Sequence, residues 1–461
     1  MNAYLTFRYV PGPSTLFRGI RSLPPASYAL FSGDHLDIHT YWRLRFESRY
    51  MPEEERVERT RECLKNSVKR QLVSDVSLGV FLSGGLDSSA ILAAMAEVVS
   101  GPVKTYTIGF KKEDEALEGQ NRDLSYAKRV ARIFGSDTRE IILEPDVVAL
   151  LPKVVGHLEE PVGDPAAITS YLISEAARSE VKVLLSGQGG DEMLGGYPWH
   201  LAGKLASDYD KLPAPLRAWS ERFLTRIPMV KSRYASRTIR RMWKFLENAP
   251  LPPQKRYLGF CSHIRGDDLG EIYAKEIREE MAGVDPWAVH RAHFEACEAY
   301  SFVDQMLYVD SMTFLPYLNL TYTDKTSMAH SIEARVPFLD NEFVDFLSGV
   351  PGCLKINGRT QKYILKKAME GILPKAVIYR RKAGFGAPIR SWLRKDLDEM
   401  VNDLLSENTI RARGLFDHQT VRRIVEENRS GSADHNYLIY SLLTLEIWCQ
   451  TFLDAPRVVG S

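Results

Sequence analysis

The stretch SLGVFLSGGLDSSAILAAMAEVV, residues 77–99, decides the fold of this chain. Its apolar beginning, 77–82, predicts a buried strand, and the alanine-rich segment 88–99 predicts a helix of strong helix formers. SGGLDSS, residues 83–89, joins the two. The paired glycines let the backbone turn sharply, so that N–H groups and the N-terminus of the helix point at one place. This unit predicts an anion-binding turn, and a plain serine/glycine turn with an N-cap is the alternative.

The alternation of strands and helices continues beyond this stretch. Segments 103–110, 139–143 and 181–187 predict strands, and segments 123–134 and 167–179 predict helices between them. Alternating elements of this kind form a parallel sheet with helices on both faces. The fold class is therefore α/β, and ligands should bind beyond the carboxyl ends of the strands.

The flanking regions follow other patterns. Two short apolar runs around a Ser-Gly-Asp turn predict a β-hairpin within residues 28–41, and 53–72 predicts an amphipathic helix. Strand signals fade near residue 200, and helical periodicity dominates to about residue 455. We therefore divide the chain into a hairpin-like segment 1–45, an α/β core 46–200 and a mainly helical region 201–461.

Composition excludes several classes of function. The chain has 461 residues, of which 44% are hydrophobic and 26% charged, and a net charge of +1, which gives no broad electrostatic surface for nucleic acid. No apolar run is long enough for a membrane span or a signal peptide. The five cysteines show no metal-ligand spacing and suit a reducing cytosol. We expect a cytoplasmic protein that binds neither nucleic acid nor membrane.

The SGGLDSS loop carries the strongest chemical signal. Ser83, Ser88 and Ser89 add hydroxyl donors to the backbone N–H groups of the turn. Asp87 is a poor direct ligand for phosphate, so its expected task is to bind Mg²⁺. The loop has no lysine, which distinguishes it from the GxxxxGK[ST] loop of enzymes that transfer a γ-phosphate.

A second glycine-rich loop, LSGQGGDE at residues 185–192, also follows a buried strand. It should therefore lie at the same edge of the sheet as the first loop, where Asp191 and Asp87 could share one Mg²⁺ ion. A structural strand-to-helix turn is the alternative.

Two further blocks complete the pattern. SIEARVPFLD, residues 331–340, and YRRKAGFGAP, residues 379–388, are predicted to be loops with mixed charge. From its own segment alone, Lys382 is most simply a solvated lysine.

The SGGxDS loop resembles the pyrophosphate-binding loop of N-type ATP pyrophosphatases. The four blocks in this order resemble the synthetase domain of the glutamine-hydrolysing asparagine synthetase family, over nearly the whole chain. Residues 1–45, with YLTFRYVPGPSTLFRGIRSLPPASY, look like the last piece of that family's glutaminase domain.

The resemblance implies an ATP-dependent ligase that activates a carboxylate as an acyl-adenylate and then joins it to ammonia or another amine. It places Mg²⁺ on Asp87 and Asp191 and the Lys382 charge near the α-phosphate of ATP, which makes Lys382, Gln188 and Asp191 the expected catalytic residues. The nucleotide contacts that it implies are Leu82, Ser83, Gly84, Gly85, Asp87, Ser88, Ser89, Ile108, Ser186 and Gly187. Glu333 and Arg335 are expected to brace the site, and the loop 160–165 to border the acyl pocket.

The chain departs from the family pattern at two positions. Residue 2 is Asn2, where the family exposes a cysteine nucleophile for glutamine hydrolysis. We therefore expect free ammonia, another amine or a separate glutaminase subunit to supply the nitrogen, and a homodimer is compatible with this. Gln188 replaces the acidic residue of asparagine-forming members and the tyrosine of β-lactam-forming relatives, and an amide cannot accept a proton at neutral pH.

Several functions remain open at this stage. The product could be asparagine, or the same chemistry could amidate or cyclise a peptide, a natural-product acid or a sugar acid. Modification of tRNA or a nucleobase also occurs with SGGxDS loops, although the near-neutral charge opposes it. A non-catalytic partner subunit or an inactive fragment is the alternative of another class, and the two intact aspartates oppose it.

Overall fold

The computed structural model describes residues 1–111, 113–114, 123–211, 213, 215, 237–264, 266–380 and 386–454. A five-stranded sheet in the order β5-β4-β3-β6-β7 lies at its centre, and every pairing in this sheet is parallel. Two further sheets are antiparallel hairpins, β1–β2 and β8–β9. The strands are β1 Ser27–Ser32, β2 His35–Thr40, β3 Leu78–Phe81, β4 Lys104–Phe110, β5 Asp137–Leu143, β6 Val183–Leu185, β7 Glu333–Arg335, β8 Ile356–Asn357 and β9 Thr360–Gln361.

Helices account for most of the remaining described elements. Those before residue 215 are α1 Asn2–Phe7, α2 Glu53–Gln71, α3 Leu86–Ala96, α4 Asp123–Ile133, α5 Val147–Leu158, α6 Ala166–Ala177, α7 Gly190–Leu194 and α8 Pro198–Asp210. Those from 237 to 355 are α9 Arg237–Asn248, α10 Pro253–Cys261, α11 Gly266–Ile272, α12 Lys275–Ala282, α13 Ala288–Ala296, α14 Phe302–Met312, α15 Thr321–Met328, α16 Asn341–Ser348 and α17 Gly352–Lys355. The last are α18 Tyr363–Met369, α19 Lys375–Ile378, α20 Ile389–Trp392, α21 Asp398–Leu404, α22 Glu407–Arg413, α23 His418–Ser430 and α24 Asn436–Phe452. A π-helical turn, Leu315–Leu320, leads into α15, and a 3₁₀ turn, Pro337–Leu339, precedes α16.

The predicted α/β class and parallel sheet are confirmed. The four strands expected from the sequence are β3, β4, β5 and β6, each within three residues of its predicted bounds. The amphipathic helix expected at 53–72 is α2, Glu53–Gln71, which buries Leu64 and Val68 and exposes charged residues on its other side. The carboxyl ends of β3 and β6 therefore lie side by side, as the two glycine loops require.

The prediction that residues 331–340 form a loop is wrong at its start. Glu333–Arg335 is a fifth strand that pairs with β6 along Val183–Leu185. The backbone N–H of Ser186 continues this pairing by donating to the carbonyl of Arg335, at 2.7 Å. Three residues of mixed charge are too few to show a two-residue period, so the strand left no signal in the sequence.

The first residues of the chain lie in the core. Tyr4, Leu5 and Phe7 of α1 are at most 3% exposed and join the larger hydrophobic cluster with α5, α6 and the C-terminal helices. The polar Asn2 is buried too, because its amide donates to the carbonyls of Met281 and Val284, at 2.8 and 2.7 Å. Sequence patterns did not predict this helix.

The β1–β2 hairpin confirms the predicted turn but lies almost entirely in solvent. Its register places Ala29 opposite Ile38 and Phe31 opposite Leu36, so that these four side chains share one face. Phe31 is 76% exposed, Leu36 57% and Ile38 52%. The hairpin therefore presents an apolar face that nothing in the described part of the chain covers.

No described helix is both long enough and apolar enough to cross a bilayer.

Candidate functional site

The first glycine loop turns directly from β3 into α3. Gly84 has a φ of +66°, a conformation that residues with a side chain rarely adopt. The hydroxyl of Ser88 accepts from the N–H of Ser83 at 3.2 Å and lies 3.0 Å from the Ser83 hydroxyl, which fixes the turn from inside. Leu82 is held to β4 by a bond from its N–H to the carbonyl of Tyr106, at 2.9 Å. The loop is thus a rigid turn at a helix N-terminus, as an anion site requires.

The second glycine loop packs against the first. A Cβ on Gly187 would lie 2.9 Å from the Cβ of Asp87, and one on Gly190 would lie 3.1 Å from the Asp87 carboxyl carbon. Only glycine allows the two loops to approach so closely. The sequence-based expectation that both loops meet at one sheet edge is therefore met by the structure.

The two aspartates singled out by the sequence converge on one lysine. The Lys362 ammonium forms an ion pair with Asp87 and lies 2.5 Å from Oδ1 of Asp191. The lysine side chain is only 7% exposed. Burial would lower the pKa of Lys362, but the carboxylates of Asp191 and Asp87 outweigh it and raise the pKa well above its usual value. The lysine is therefore charged.

Sequence reasoning missed Lys362, which lies between β9 and the start of α18. It has a φ of +53°, and its N–H donates to the carbonyl of Leu194 at 3.2 Å. The neighbouring Gln361 donates to the carbonyls of Gly195 and Tyr197, at 2.8 and 2.7 Å. The only available signal was a pair of lysines four residues apart, Lys362 and Lys366, in RTQKYILKKAME.

Two further cations lie near the first loop. Lys366 is one helical turn beyond Lys362, and burial followed by the charge of Lys362 lowers its pKa. Arg380 donates to the carbonyl of Gly84 at 2.9 Å, and its guanidinium carbon lies 4.4 Å from the centre of the Tyr126 ring. Arg380 thus places the start of the fourth sequence block, residues 379–380, at the glycine loop. Lys382 itself lies outside the described residues, and its place in the site stays a prediction.

Neutral groups surround Gln188. Its amide Nε2 donates to the hydroxyl of Thr323 and lies 3.4 Å from both the carbonyl of Asn319 and the hydroxyl of Tyr322. Its Oε1 is buried and has no hydrogen-bond partner among the described residues. Burial raises the pKa of Tyr322 far above the usual value, so this hydroxyl stays protonated. Gln188 therefore places an uncharged amide beside an uncharged phenol.

A π-helical turn positions this group. Leu315–Leu320 widens the helix so that the Asn319 amide reaches Glu192 at 2.7 Å and the hydroxyl of Tyr197 at 2.8 Å. Tyr197 also donates to Glu192, at 2.7 Å. Glu192 is buried, with 1% of the residue exposed. These hydrogen bonds between Asn319, Glu192 and Tyr197 support the second glycine loop.

The other predicted residues lie at different distances from this centre. Ser186 and Gly187 follow directly after β6, and Gly187 lies against Asp87 of the first loop, whereas Ile108 lies on β4, paired with Ile141 of β5. Ser89 is fully buried, and its hydroxyl has no hydrogen-bond partner in the described ranges. These positions remain candidate nucleotide contacts.

The flanking blocks serve as supports. Arg335 donates to the carbonyls of Gln71 and Val73, at 2.7 and 2.8 Å, and binds Glu333 at 2.6 Å, which ties the edge strand to the end of α2. The loop 160–165 packs on the N-terminal segment, where the N–H of Gly163 donates to the carbonyl of Arg8 at 2.8 Å.

The donor set at this edge suits a magnesium ion bound together with phosphate oxygens. Mg²⁺ in nucleotide sites takes one or two carboxylates and completes its shell with phosphates and water. Asp87 and Asp191 supply two carboxylates that already share one cation. The described ranges hold no group of three or more His, Cys, Asp or Glu side chains arranged to bind a metal, at this sheet edge or elsewhere.

Fold and site together define the class: an α/β protein with a glycine-rich turn between its central parallel strand and the following helix, an arrangement typical of nucleotide sites. The asparagine synthase family matches residues 59–450. Asparagine synthetase [glutamine-hydrolyzing] 1 of Bacillus subtilis is 31% identical over 450 residues, 97% of this chain and 68% of that protein. A putative asparagine synthetase [glutamine-hydrolyzing] of Mycobacterium tuberculosis is 32% identical over 462 aligned residues, 98% of this chain and 67% of that protein. A protein of Gibberella zeae named amidase chry2 is 23% identical over 89% of this chain.

The chain therefore belongs to the asparagine synthetase family. It spans about two thirds of the length of these relatives. Membership identifies it as an enzyme of a family of ATP-using ligases that form carbon–nitrogen bonds.

Proposed function

We propose that this chain adenylates a carboxylate with ATP and then transfers the acyl group to ammonia or another amine. The observation that carries this proposal is the convergence of Asp87 and Asp191 on one ammonium at the ends of adjacent parallel strands. The loop beside them offers backbone N–H groups and no γ-phosphate lysine of the GxxxxGK[ST] kind. This arrangement favours binding of the pyrophosphate part of ATP.

The chemistry has two steps. A carboxylate oxygen of the acyl substrate attacks the α-phosphorus, the bond to the bridging oxygen of the β-phosphate breaks, and pyrophosphate leaves. The amine nitrogen then attacks the acyl carbon, loses a proton, and AMP leaves. A magnesium ion, where bound, would neutralise charge on the leaving pyrophosphate.

The residues of the chain divide this work between them. The turn at Ser83–Gly85 and the N-terminus of α3 would bind phosphate oxygens through N–H groups. Lys366 and Arg380 place positive charge beside the same loop. Lys382 is proposed to stabilise the charge that grows on the α-phosphate during adenylation.

The natural acyl substrate is proposed to be a specialised acid rather than aspartate. Gln188 and the protonated Tyr322 leave no acid–base group at the position where the family resemblance places one. A match to relatives named amidases at 23–24% identity accords with amidation of other acids. Asparagine formation is the competing candidate, favoured by the names of the more similar relatives.

The test is carboxylate-dependent release of pyrophosphate. The purified 461-residue chain would be incubated with ATP, Mg²⁺, ammonium and a panel of carboxylic acids that includes aspartate. We expect AMP and pyrophosphate in equal amounts with at least one acid. ADP and orthophosphate as the first products would refute the proposal.

A second arm of the same assay examines the nitrogen source. Ammonium or a primary amine should support amide formation by the purified 461-residue chain, and we expect glutamine as the only nitrogen source to be inert, since Asn2 carries no thiol and is bound to backbone carbonyls in the core. Conversion of glutamine to glutamate by the purified chain would contradict this expectation. A separate glutaminase subunit, a homodimer and a cytoplasmic location remain predictions.

A further inference from the structure

The side-chain amide of Gln188 is anchored on one side and unsatisfied on the other. Its Nε2 donates to the hydroxyl of Thr323 and lies 3.4 Å from the carbonyl oxygen of Asn319. A carbonyl oxygen only accepts, so the nitrogen of the amide, and not its oxygen, must face Asn319. Oε1 is therefore left on the other side of the amide, where it is buried and has no donor in the described part of the chain.

Tyr322 presents the complementary group beside this amide. Its hydroxyl oxygen lies 3.4 Å from Nε2 of Gln188, which donates to it. The residue is 5% exposed, and burial raises the pKa of Tyr322 above its usual range, with the nearby carboxylate of Asp164 acting in the same direction. The phenol therefore keeps its proton, for which the described residues provide no acceptor.

These two groups lie between the expected phosphate site and the expected acyl pocket. Gln188 directly follows Gly187, where a Cβ would lie 2.9 Å from the Cβ of Asp87 in the first glycine loop. On the other side, Asp164 belongs to the loop 160–165 and is held by Arg8 at 3.4 Å. A molecule bound beside the phosphates would meet the Gln188 amide first.

Hydrogen-bond complementarity narrows the class of that molecule. A partner that satisfies both groups must donate to Oε1 of Gln188 and accept from the hydroxyl of Tyr322. A carboxylate cannot donate, and an ammonium group cannot accept. A carboxamide, including that of a peptide bond, does both through two different atoms and carries no charge. Leaving the buried acceptor unpaired costs free energy, which a ligand with a matching donor recovers.

We propose that the acyl substrate carries a carboxamide whose N–H donates to Oε1 of Gln188 and whose carbonyl oxygen accepts from the hydroxyl of Tyr322. This rests on the proposed function, which brings a carboxylic acid to this edge of the sheet. Gln188 and Tyr322 are then specificity-determining residues that bind a part of the acid away from its reacting carboxylate. The substrate class is an acid that also contains an amide, such as a peptide or the half-amide of a diacid.

The experiment measures binding of acyl-adenylate mimics, so it needs no turnover. In 5′-O-(N-acylsulfamoyl)adenosines a sulfamoyl group replaces the phosphate, and the acyl group is not transferred. Acyl groups of nearly equal shape would be compared by isothermal titration calorimetry: succinamoyl, succinyl and levulinoyl, which end in a carboxamide, a carboxylate and a methyl ketone. Homologues with one methylene fewer or more would cover different distances between the phosphate and Gln188.

We expect the wild type to bind the carboxamide of at least one chain length about tenfold or more tightly than the matching carboxylate and ketone, because only the carboxamide supplies both donor and acceptor. The ketone separates this effect from charge, since it is neutral and cannot donate. Equal binding within every set, tighter binding of the carboxylate, or failure of every mimic to bind would overturn the proposal.

Variants assign the preference to the two residues. Gln188→Met removes the acceptor from a side chain of similar length and should reduce the preference for the carboxamide to about threefold or less. Tyr322→Phe removes one donor and should weaken binding of the carboxamide about three- to tenfold, the effect of one neutral hydrogen bond. Tyr273→Phe removes a buried hydroxyl that donates to Oδ1 of Asn2, and as the control it should leave every affinity unchanged.

A preference of wild-type strength in Gln188→Met would overturn the proposal. Where Gln188→Met does not fold, Tyr322→Phe decides, and an unchanged affinity for the carboxamide in that variant has the same consequence. Failure of the proposed function would appear differently, as absence of carboxylate-dependent pyrophosphate release by the wild type while the preference among the mimics is intact.

Discussion

Lys355 and Lys362 are both buried and both contact aspartates, but Lys355 pairs with one carboxylate and Lys362 with two. Lys355 is fully buried, lies 2.8 Å from Oδ1 of Asp304 and has the Phe46 ring 4.2 Å from its ammonium. The other oxygen of Asp304 accepts from the hydroxyl of Ser301 at 2.6 Å and the N–H of Gly352 at 3.1 Å. One charge balances one charge, and both oxygens of the carboxylate have partners.

Lys362 instead faces two carboxylates at the end of a parallel sheet, where ligands of such folds bind. The difference teaches that burial of a lysine does not by itself indicate a function. The position at the carboxyl ends of parallel strands does so, because ligands of such sheets bind there.

Lys382→Met should have the largest effect on turnover. Unlike Lys355 and Lys362, Lys382 is proposed to act on the reacting α-phosphate. Product formation should fall by about 10³-fold, because a charge aimed at the transition state is lost while ATP still binds. Pyrophosphate release and ATP affinity would be measured in parallel. Lys395→Met, which removes a lysine 3.6 Å from Asp114 on the surface, is the control. Turnover at the wild-type rate would return Lys382 to the class of solvated lysines.

Lys355→Met tests the structural half of the comparison. It leaves a buried aspartate without its cation and should lower the free energy of unfolding by about 3–5 kcal/mol, measured in guanidinium chloride. Burial lowers the pKa of Lys355 and Asp304 offsets part of this, so the lysine depends on its single partner.

The double variant Lys355→Met with Asp304→Asn should recover part of this loss, since no unpaired charge remains buried. Neither variant should change KM for ATP. An altered KM in Lys355→Met would show that the two lysines are not separate in function.

Arg380→Gln removes a cation that donates to the backbone carbonyl of Gly84 and lies over the ring of Tyr126. The lost bond to Gly84 should loosen the first loop and raise KM for ATP about tenfold, the effect of one hydrogen bond from a charged group. Steady-state kinetics at fixed Mg²⁺ would measure this. Arg411→Gln, which removes an exposed pair with Glu407, should leave KM unchanged. An unchanged KM in Arg380→Gln would place the arginine outside the nucleotide site.

Gln188→Glu should have the smallest effect and tests the neutral side of the site. For a site adapted to another acid, the new charge gives no asparagine synthesis and slows the native reaction a few-fold through repulsion of phosphate. For a site that takes aspartate, the restored base would raise asparagine formation from ammonium, within the roughly 10²–10⁴-fold range of general-base catalysis. Efficient asparagine synthesis by the wild type would refute the expectation of a specialised acid.

Local patterns predicted what is local in this structure. The two glycine loops follow from consecutive residues, and the meeting of Asp87 with Gly187 and Gly190 follows from parallel strands whose ends share an edge. Helix α2 and the β1–β2 turn were likewise predictable, because their periodicity and turn residues lie within short windows.

Contacts between distant segments that do not follow from the order of the strands were not predictable. Lys362 lies 275 residues from Asp87, and its surroundings depend on the backbone at Leu194. Strand β7 has only three residues, and its pairing partner β6 lies far back in the chain. The helix Asn2–Phe7 forms because the core buries it, since six residues cannot sustain a helix alone.

The bare hairpin at Ser27–Thr40 has a consequence for the behaviour of the chain in solution. A two-stranded ribbon leaves backbone donors and acceptors on both edges. Together with the exposed apolar face of Phe31, Leu36 and Ile38, these edges favour association between copies of the chain. Concentrated samples of this chain alone should scatter light increasingly with time and with added kosmotropic salt. Phe31→Lys would add a positive charge to the hairpin, so the increase in light scattering should be slower, while the two glycine loops are unchanged.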